Sequence, residues 1–294
     1  MNSKHGVAVA TSLVVATITA LYIWSTSVTV HNSWHDLPSR KLLGTLNVAP
    51  VITTYPSACK GGGKLWGNDH AGGWNVCTDN IKSSECVVYS FGLGADWSFD
   101  NAAEESGCEV HGFDPSGELW RNGMHGAKYS NIDYAQQYPS KKKHFHSWGL
   151  GVLDKAMYPP GTIPQEWPGL GDPPFSKSNS APWDMRSLEK TMLDLGQSSV
   201  TILKIDVEGA EWSALASMLE SKLMRRMVSS GRIGQLLIEW HWDPNTRAFN
   251  DRHRLLMDRL KKLGLVPWNV ERHKGSDCCL DVSYIWVPHE YGTG

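Results

Sequence analysis

Residues 201–212 read TILKIDVEGAEW, an apolar and β-branched run that ends in acidic residues. The first seven residues have the composition of a buried strand, and the carboxylates follow where that strand ends. Because side chains alternate across a strand, Lys204 and Asp206 share one face, and the apolar residues between them face the other way. A buried lysine needs an anionic neighbour, so we expect Asp206 to pair with Lys204.

The chain on both sides of this strand alternates apolar runs with helical patterns, which is typical of a parallel sheet built from β-α-β units. Further strands are predicted at 86–91, 108–114, 143–151 and 235–242. Helices are predicted near Ser98, over 184–196 with Asp184 as the N-cap, after the 201–207 strand as far as Val228, and after Pro244.

The last two apolar runs, 265–270 and 282–287, are separated by a polar turn region and suit an antiparallel pair at one edge of the sheet. The sequence therefore predicts an α/β fold with a Rossmann-like, mostly parallel sheet. Helices are expected on both faces, and an antiparallel strand pair at the C-terminus.

The N-terminus carries a long uncharged segment. Residues 6–30 contain no Asp, Glu, Lys or Arg. As a helix, this segment is long enough to span a bilayer of about 30 Å. We expect a transmembrane signal-anchor that follows a short cytosolic tail, 1–5. A signal peptide cleaved after Thr17–Ala20 is the alternative; the anchor is favoured because the apolar run continues to Trp24. The anchor predicts a single-pass type II membrane protein with its catalytic domain in the ER or Golgi lumen or outside the cell.

Residues 31–58 are predicted to be a proline-containing stem, and 59–294 a catalytic domain. All 6 cysteines follow the apolar segment, which is compatible with disulfides in an oxidising compartment. The glycine-rich stretch between Cys59 and Cys77 is either a disulfide-closed loop or a plain flexible one. A proline- and glycine-rich insertion, 157–183, is either a lid over the site or a mobile surface segment.

The formal net charge of −2 indicates no extended nucleic-acid surface. The sequence indicates no oligomeric state.

The turn after the first predicted strand reads FGLGADW, 91–97. Glycines let the backbone approach a ligand closely, but a dinucleotide site needs a third glycine where this chain has Trp97. NAD and FAD are therefore disfavoured. Asp96 argues the same way, since its carboxylate would repel a pyrophosphate and tolerate an ammonium group or a ribose.

Asp114 ends the second predicted strand, about twenty residues after the glycine turn, where an acid accepts hydrogen bonds from a ribose diol. The alternative role for Asp114 is the N-cap of a helix over 116–120. A nucleoside cofactor without a pyrophosphate indicates S-adenosylmethionine.

The string LKIDVEGAE, 203–211, closely resembles the signature of the FkbM-type methyltransferases. These are class I S-adenosylmethionine-dependent enzymes that typically act on hydroxyl oxygens. The resemblance runs from about Cys86 to Trp242, with the further motifs in family order: Gly92-Leu93-Gly94, Phe113-Asp114-Pro115, Gly149-Leu150-Gly151 and Leu237-Ile238-Glu239. The chain departs from the family at Ser90, where members often carry an acid for the methionine ammonium; Asp96 is a candidate replacement. The VYSFG opening is similar to a eukaryotic, membrane-anchored branch of methyltransferase-like proteins.

The resemblance implies O-methylation of a glycan or small-molecule acceptor. Together with the turn and strand-end residues, it predicts cofactor contacts from Ser90, Gly92, Gly94, Asp96, Asp114, Trp148, Gly149 and Asp206. A catalytically silent relative that binds the cofactor or a protein partner is the alternative that Ser90 permits. An NAD-dependent oxidoreductase is disfavoured by Trp97.

Ligands of open α/β sheets bind beyond the carboxyl ends of the strands. Four ionisable groups follow two consecutive predicted strands and are the catalytic candidates: Asp206, Glu208, Glu239 and His241. His241 has the intrinsic pKa best suited to a general base. Glu211 is assigned to the helix dipole, as a carboxylate in the first turn. A divalent metal on Asp206, Glu239 and His241 is an alternative, but no ligand spacing calls for one, so no metal site is assigned.

Overall fold

The computed structural model describes residues 52–69, 72–79, 81–117, 132–151, 183–241, 247–272 and 279–288. All of them belong to a compact unit that runs from Asn47 to Gly294. The predicted tail, 1–5, and signal-anchor, 6–30, lie outside the described residues, as do most of the stem and nearly all of the 157–183 insertion. Within the described ranges, no helix has both the length and the apolar character needed to cross a bilayer.

The chain enters the fold through a 3₁₀ turn, Pro56–Ala58. The strands are β1 Gly63–Trp66, β2 Trp74–Cys77, β3 Val87–Phe91, β4 Glu109–Phe113, β5 Lys143–His146, β6 Gly149–Leu150, β7 Met185–Arg186, β8 Val200–Ile205, β9 Ile233–His241, β10 Leu265–Arg272 and β11 Cys279–Trp286. The helices are α1 Ser98–Glu105, α2 Tyr134–Gln137, α3 Leu188–Asp194, α4 Glu211–Glu220, α5 Lys222–Ser229 and α6 Arg247–Lys262.

The central sheet has the strand order β10-β11-β9-β8-β3-β4-β5. The pairs β8–β9, β3–β8, β3–β4 and β4–β5 are parallel. Strand β11 runs antiparallel to both of its neighbours, β9 and β10. This order confirms the mostly parallel sheet and its C-terminal antiparallel pair. The order also reverses between β3 and β8, and such a switch point opens a crevice at the carboxyl ends of the strands.

Both faces of the sheet are covered. On one face, Leu203 and Ile205 of β8 belong to the main apolar cluster, which takes in buried residues of α3, α4, α5 and α6. On the other face, Ile202 packs in a second cluster with residues of α1 and of the β1–β2 hairpin. The alternation predicted for β8 is therefore confirmed.

Three local predictions were wrong. The helix predicted after β8 as far as Val228 is two helices, α4 and α5, because Ser221 between them is in an extended conformation and is the N-cap of α5. The predicted strand 143–151 is interrupted after His146, and Gly149–Leu150 pairs with Met185–Arg186 in a separate two-stranded sheet. The predicted helix 184–196 starts later, because Ser187 is the N-cap and its side chain accepts a hydrogen bond from Lys190 N at 3.1 Å. Asp184 instead accepts a hydrogen bond from Arg186 Nη2 at 2.7 Å.

Two disulfides close the N-terminal part of the fold. Cys59 bonds to Cys77, and Cys86 bonds to Cys108. The glycine-rich stretch left open by the sequence is therefore a disulfide-closed hairpin, β1–β2. Cys279 is also disulfide-bonded. Tyr55 N donates to Pro267 O at 2.8 Å, so the folded unit begins before the predicted boundary at Cys59.

Candidate active site

The glycine turn after β3 lies against the end of β8. A side-chain carbon on Gly92 would lie 1.6 Å from Asp206 O, and the Gly92 φ of 82° is in the left-handed region. Gly92 N donates to Phe113 O at 3.0 Å, and Asp206 N donates to Phe91 O at 3.1 Å. The ends of β3, β4 and β8 are thus bonded together around a position where only glycine fits.

Asp114 holds this turn from the side of β4. Its Oδ2 accepts a hydrogen bond from Leu93 N at 2.9 Å, and its Oδ1 accepts one from Ser116 N at 2.8 Å. The hydrogen bond from Ser116 N is of the kind that an N-cap residue makes, which was the alternative role given to Asp114. Ser116 Oγ also donates to Asp114 Oδ1, so at least three of the roughly four acceptor positions of the carboxylate are occupied. Contact with a ribose stays a prediction.

Ser90 and Asp96 flank the same turn, and neither side chain is free to contact a ligand as the residues now lie. Ser90 has 0% exposure, so it lies beneath the turn rather than at its surface. Asp96 accepts hydrogen bonds from Asn68 Nδ2 and from Ser98 N, each at 2.9 Å. Although partial burial opposes it, these bonds lower the pKa of Asp96. Asp96 therefore fastens the β1–β2 hairpin to the start of α1, and its contact with an ammonium group stays a prediction.

The buried lysine of the opening sequence is paired as expected. Lys204 Nζ lies 3.7 Å from Asp206 Oδ2 and donates to Gly92 O at 2.5 Å. The ammonium group thereby joins the end of β8 to the glycine turn. The predicted Lys204–Asp206 pair is confirmed.

Trp148 and Gly149 lie where β5 gives way to β6. The Arg186 guanidinium lies 3.8 Å from the centre of the Trp148 ring, a cation-π contact. Gly149 N donates to Asp184 O at 2.8 Å, and a side-chain carbon on Gly149 would lie 2.8 Å from Met185 Sδ. Both residues are held by the β6–β7 sheet, and their cofactor contacts stay predictions.

His241 lies between two glutamates at the end of β9. Its Nδ1 is 3.2 Å from Glu211 Oε1, and its Nε2 is 3.2 Å from Glu208 Oε2. Burial alone would lower the pKa of His241, but the carboxylates of Glu211 and Glu208 raise it to about 12. The ring is therefore a cation at neutral pH. The intrinsic pKa of histidine is therefore no longer a reason to choose His241 as the general base.

Glu211 lies in the first turn of α4, as expected, and it also makes contacts that the sequence analysis did not anticipate. The side chain has 0% exposure and also accepts hydrogen bonds from Gly209 N and His241 N, each at 2.8 Å. It therefore ties the start of α4 to the end of β9 and fixes the imidazole ring. No sequence pattern indicates this contact, because the partners are 30 residues apart.

Glu208 is the exposed member of the catalytic candidates. Its side chain is 76% exposed, and its φ of 54° is the one positive value for a residue other than glycine in the described ranges. Such a backbone conformation is costly and is often retained at functional positions. It places the carboxylate against His241.

Glu239 lies in a crowded acidic environment with Asp281, a residue that the sequence analysis missed. The two residues face each other across the β9–β11 pair. Burial and the nearby Asp206 raise the pKa of Glu239 to about 10, and the same two causes raise that of Asp281 to about 7. Glu239 is therefore protonated at neutral pH and does not act there as a carboxylate base. The structure nonetheless brings all four catalytic candidates to the ends of β8 and β9.

A second group of titratable side chains lies on β4 and β5 and was also missed. His111 Nδ1 is 3.0 Å from His146 Nε2, and Glu109 Oε1 is 3.5 Å from His111 Nε2 and 3.3 Å from His144 Nε2. Burial is the main cause that lowers the pKa of both His111 and His146 to about 4. These two rings are neutral at physiological pH.

The sequence profile of a family described as "Methyltransferase domain" matches residues 56–286. Two curated relatives, "Probable methyltransferase-like protein 24" of Homo sapiens and of Rattus norvegicus, are each 27% identical over 176 residues. The match covers 57% of this chain and 38% of each relative, so it spans well under half of their length.

Among solved structures, a Methanococcus jannaschii fibrillarin pre-rRNA processing protein has a TM-score of 0.35 and 9% identity, covering 69% of this chain and 67% of that one. Streptococcus pneumoniae Sp1610, a putative tRNA (m1A22) methyltransferase in complex with S-adenosyl-L-methionine, has a TM-score of 0.34 and 7% identity, with 70% of each chain covered. These likenesses are distant, and the fold assignment rests on the strand order described above.

Proposed function

The chain belongs to the methyltransferase-domain family, and we propose that it transfers the methyl group of S-adenosylmethionine to a hydroxyl oxygen of a glycan or small molecule. We place it in the FkbM-type branch, on the signature at 203–211. The observation that carries the cofactor assignment is the turn Gly92–Gly94, which is bonded to three strand ends and flanked by Asp114 at the switch point of the sheet.

The site chemistry supports this proposal. Methyl transfer breaks the sulfur–methyl bond, forms an oxygen–methyl bond, and releases the hydroxyl proton. The enzyme has to align the three atoms and receive the proton. Asp206 and Glu208 put negative charge at the edge where the cationic sulfonium would lie, and Glu208 is the accessible carboxylate for the proton.

We also propose that the protein is a type II membrane protein whose catalytic domain faces the lumen or the cell exterior. Two disulfides in the described fold support an oxidising compartment. The uncharged run over 6–30 supports an anchor.

Calorimetry of S-adenosylhomocysteine binding to the purified protein tests the cofactor assignment. We expect a micromolar dissociation constant that weakens at least about tenfold, about 1.4 kcal/mol, in Asp114→Ala. The matched control is Asp79→Ala, which removes an aspartate that accepts a backbone bond from Gly61 N at 3.0 Å in the hairpin. Absence of binding to the folded protein would overturn the assignment, as would an equal loss in the control.

A catalytically silent cofactor-binding protein is the second candidate. Burial of Ser90, where the related enzymes often have an acid, is the observation that favours it. Two results together would support this candidate. The protein would bind S-adenosylhomocysteine, but it would transfer no methyl group from radiolabelled S-adenosylmethionine to any hydroxylated acceptor in a membrane-fraction extract.

A further inference from the structure

We propose that Asp206, Glu208 and His241 Nε2 bind a divalent cation at the ends of β8 and β9. One ligand atom from each residue lies within 4.8 Å of the other two. Two carboxylates and one imidazole suit ions that accept both oxygen and nitrogen ligands, such as Mn²⁺ and Zn²⁺. The 3.2 Å between His241 Nε2 and Glu208 Oε2 is close to the ~3 Å between adjacent ligands of an octahedral ion with ~2.1 Å bonds.

The orientation of the imidazole is fixed independently of the two ligand carboxylates. Glu211 is fully buried, is held by Gly209 N and His241 N, and contacts His241 through Nδ1. Nε2 is therefore the nitrogen that faces Glu208, and a metal ion that binds there takes the place of the Nε2 proton, which is released to solvent. A carboxylate on the far nitrogen is the usual partner of a metal-binding histidine, because it sets the ring orientation and raises its basicity.

The three groups are open on the solvent side. The side chains of Glu208 and Asp206 are 76% and 25% exposed, whereas that of His241 is 7% exposed. A cation at this position has a route of entry, a rigid inner ligand and two outer ligands. Coordination positions on the outer side remain for water or for an oxygen of another molecule.

The surroundings carry more carboxyl groups than cationic ones. Asp281 lies directly opposite Glu239 across the β9–β11 pair, and both carboxyl groups lie near Asp206. Among the described residues, the cationic groups at this edge are Lys204, which is paired with Asp206, and the His241 ring. A divalent cation would offset the negative charge of the Asp206 and Glu208 carboxylates.

Glu239, His241 and Cys279 form another close set of potential ligand atoms. Cys279 is disulfide-bonded, so its sulfur is not available as a thiolate. The alternative metal site considered from the sequence included Glu239. In the structure, Glu208 takes the place of Glu239 as the proposed ligand.

What the cation does rests on the proposed function, although its binding does not. A divalent ion that coordinates the acceptor's hydroxyl oxygen makes that hydroxyl more acidic and places it near the methyl group. With Glu208 bound to the ion, the hydroxyl proton leaves to solvent instead of to Glu208, as the sulfur–methyl bond breaks and the oxygen–methyl bond forms. The substrate class is then an acceptor whose reacting hydroxyl can bind a metal ion, as in a sugar or a polyol.

Electron paramagnetic resonance of Mn²⁺ added to the full-length protein, without cofactor, tests the site, because bound Mn²⁺ loses the sharp signal of the free ion. We expect micromolar binding that weakens at least about tenfold in Glu208→Gln. Since Glu208 is largely exposed, this substitution leaves the fold intact. Asp206→Asn is the second variant and should weaken binding similarly.

Glu109→Gln is the matched control, because Glu109 is the carboxylate of the histidine group on β4 and β5. No Mn²⁺ binding by the folded protein, or unchanged binding in Glu208→Gln, overturns the proposal. So does a loss of binding in Glu109→Gln alone, which would place the ion on the other histidine group. Calorimetry of S-adenosylhomocysteine binding separates the two proposals. If the protein binds S-adenosylhomocysteine but not Mn²⁺, only the metal site is wrong. If it binds Mn²⁺ but not S-adenosylhomocysteine, only the cofactor assignment is wrong.

Discussion

His241 at the end of β9 and His111 on β4 are 7% and 6% exposed, yet their charge states are opposite. Burial lowers the pKa of both rings. For His241 the carboxylates of Glu211 and Glu208 reverse the effect and raise the pKa to about 12, whereas the pKa of His111 falls to about 4. The carboxylate nearest His111, Glu109, is 46% exposed, and the rings of Tyr89, His144 and His146 also lie close to His111. Burial is the largest single cause acting on the pKa of His241, but the carboxylates around the ring together outweigh it and keep the ring charged.

The largest expected effect comes from removing the buried carboxylate of Glu211. Glu211→Gln replaces an acceptor of several hydrogen bonds with an amide whose NH₂ group would face N–H donors. Because this breaks a buried ion pair, we expect the free energy of unfolding to fall by about 3 kcal/mol. Urea denaturation at neutral pH, without added metal, measures it. Glu208→Gln is the control, with an expected change below about 1 kcal/mol because the residue is exposed. Equal losses in the two variants would show that Glu211 is not the anchor.

The second prediction concerns the pH dependence of the neutral histidines. His111 and His146 have folded pKa values of about 4, below the unfolded value of about 6.5. The unfolded chain therefore takes up protons first as the pH falls. The stability contributed by these rings is present above pH ~6.5 and is lost as the pH falls towards ~4.

Urea midpoints measured from pH 7 to pH 4.5 test this sign. His111→Gln should make the decline shallower than in the unmodified protein. His144→Gln, whose side chain is 44% exposed, should leave the slope unchanged. A decline as steep in His111→Gln as in the unmodified protein would contradict the assignment of that slope to His111.

The smallest expected effect is that of Glu109→Gln. Glu109 contacts two histidines, but its side chain is about half exposed. Glu211, by contrast, contacts its histidine from a fully buried position. We expect the free energy of unfolding at neutral pH to change by less than about 1 kcal/mol, and by less again at high salt. The same denaturation assay at two salt concentrations measures it. A loss as large as that of Glu211→Gln would mean that exposure does not separate the two groups.

The parts of the fold that depend on local periodicity were predictable from the sequence. Strands β3, β4, β8 and β9 lie within two residues of their predicted bounds, because each is a short apolar run bordered by turn residues. The Lys204–Asp206 pair followed from alternation along β8. The edge of the sheet that carries the candidate site followed from the parallel topology.

The parts that depend on distant contacts were not predictable. Glu211 reads as an ordinary first-turn carboxylate until β9 brings His241 to it. Asp184 and Ser187 both have N-capping side chains, and pairing of Met185–Arg186 with β6 decides between them. Asp281 becomes part of the site only through the antiparallel register that places it opposite Glu239.

The disulfide Cys86–Cys108 joins the residues that precede β3 and β4, at the end of the sheet away from the glycine turn. Loss of such a crosslink, with a sequence separation of 22, costs about 3 kcal/mol. Protein made in a reducing cytoplasm would therefore be a weakened form, although no residue of the candidate site is changed. A failed activity assay on such material would look like a catalytically silent protein. The oxidation state of the sample has to be known before silence is attributed to the site.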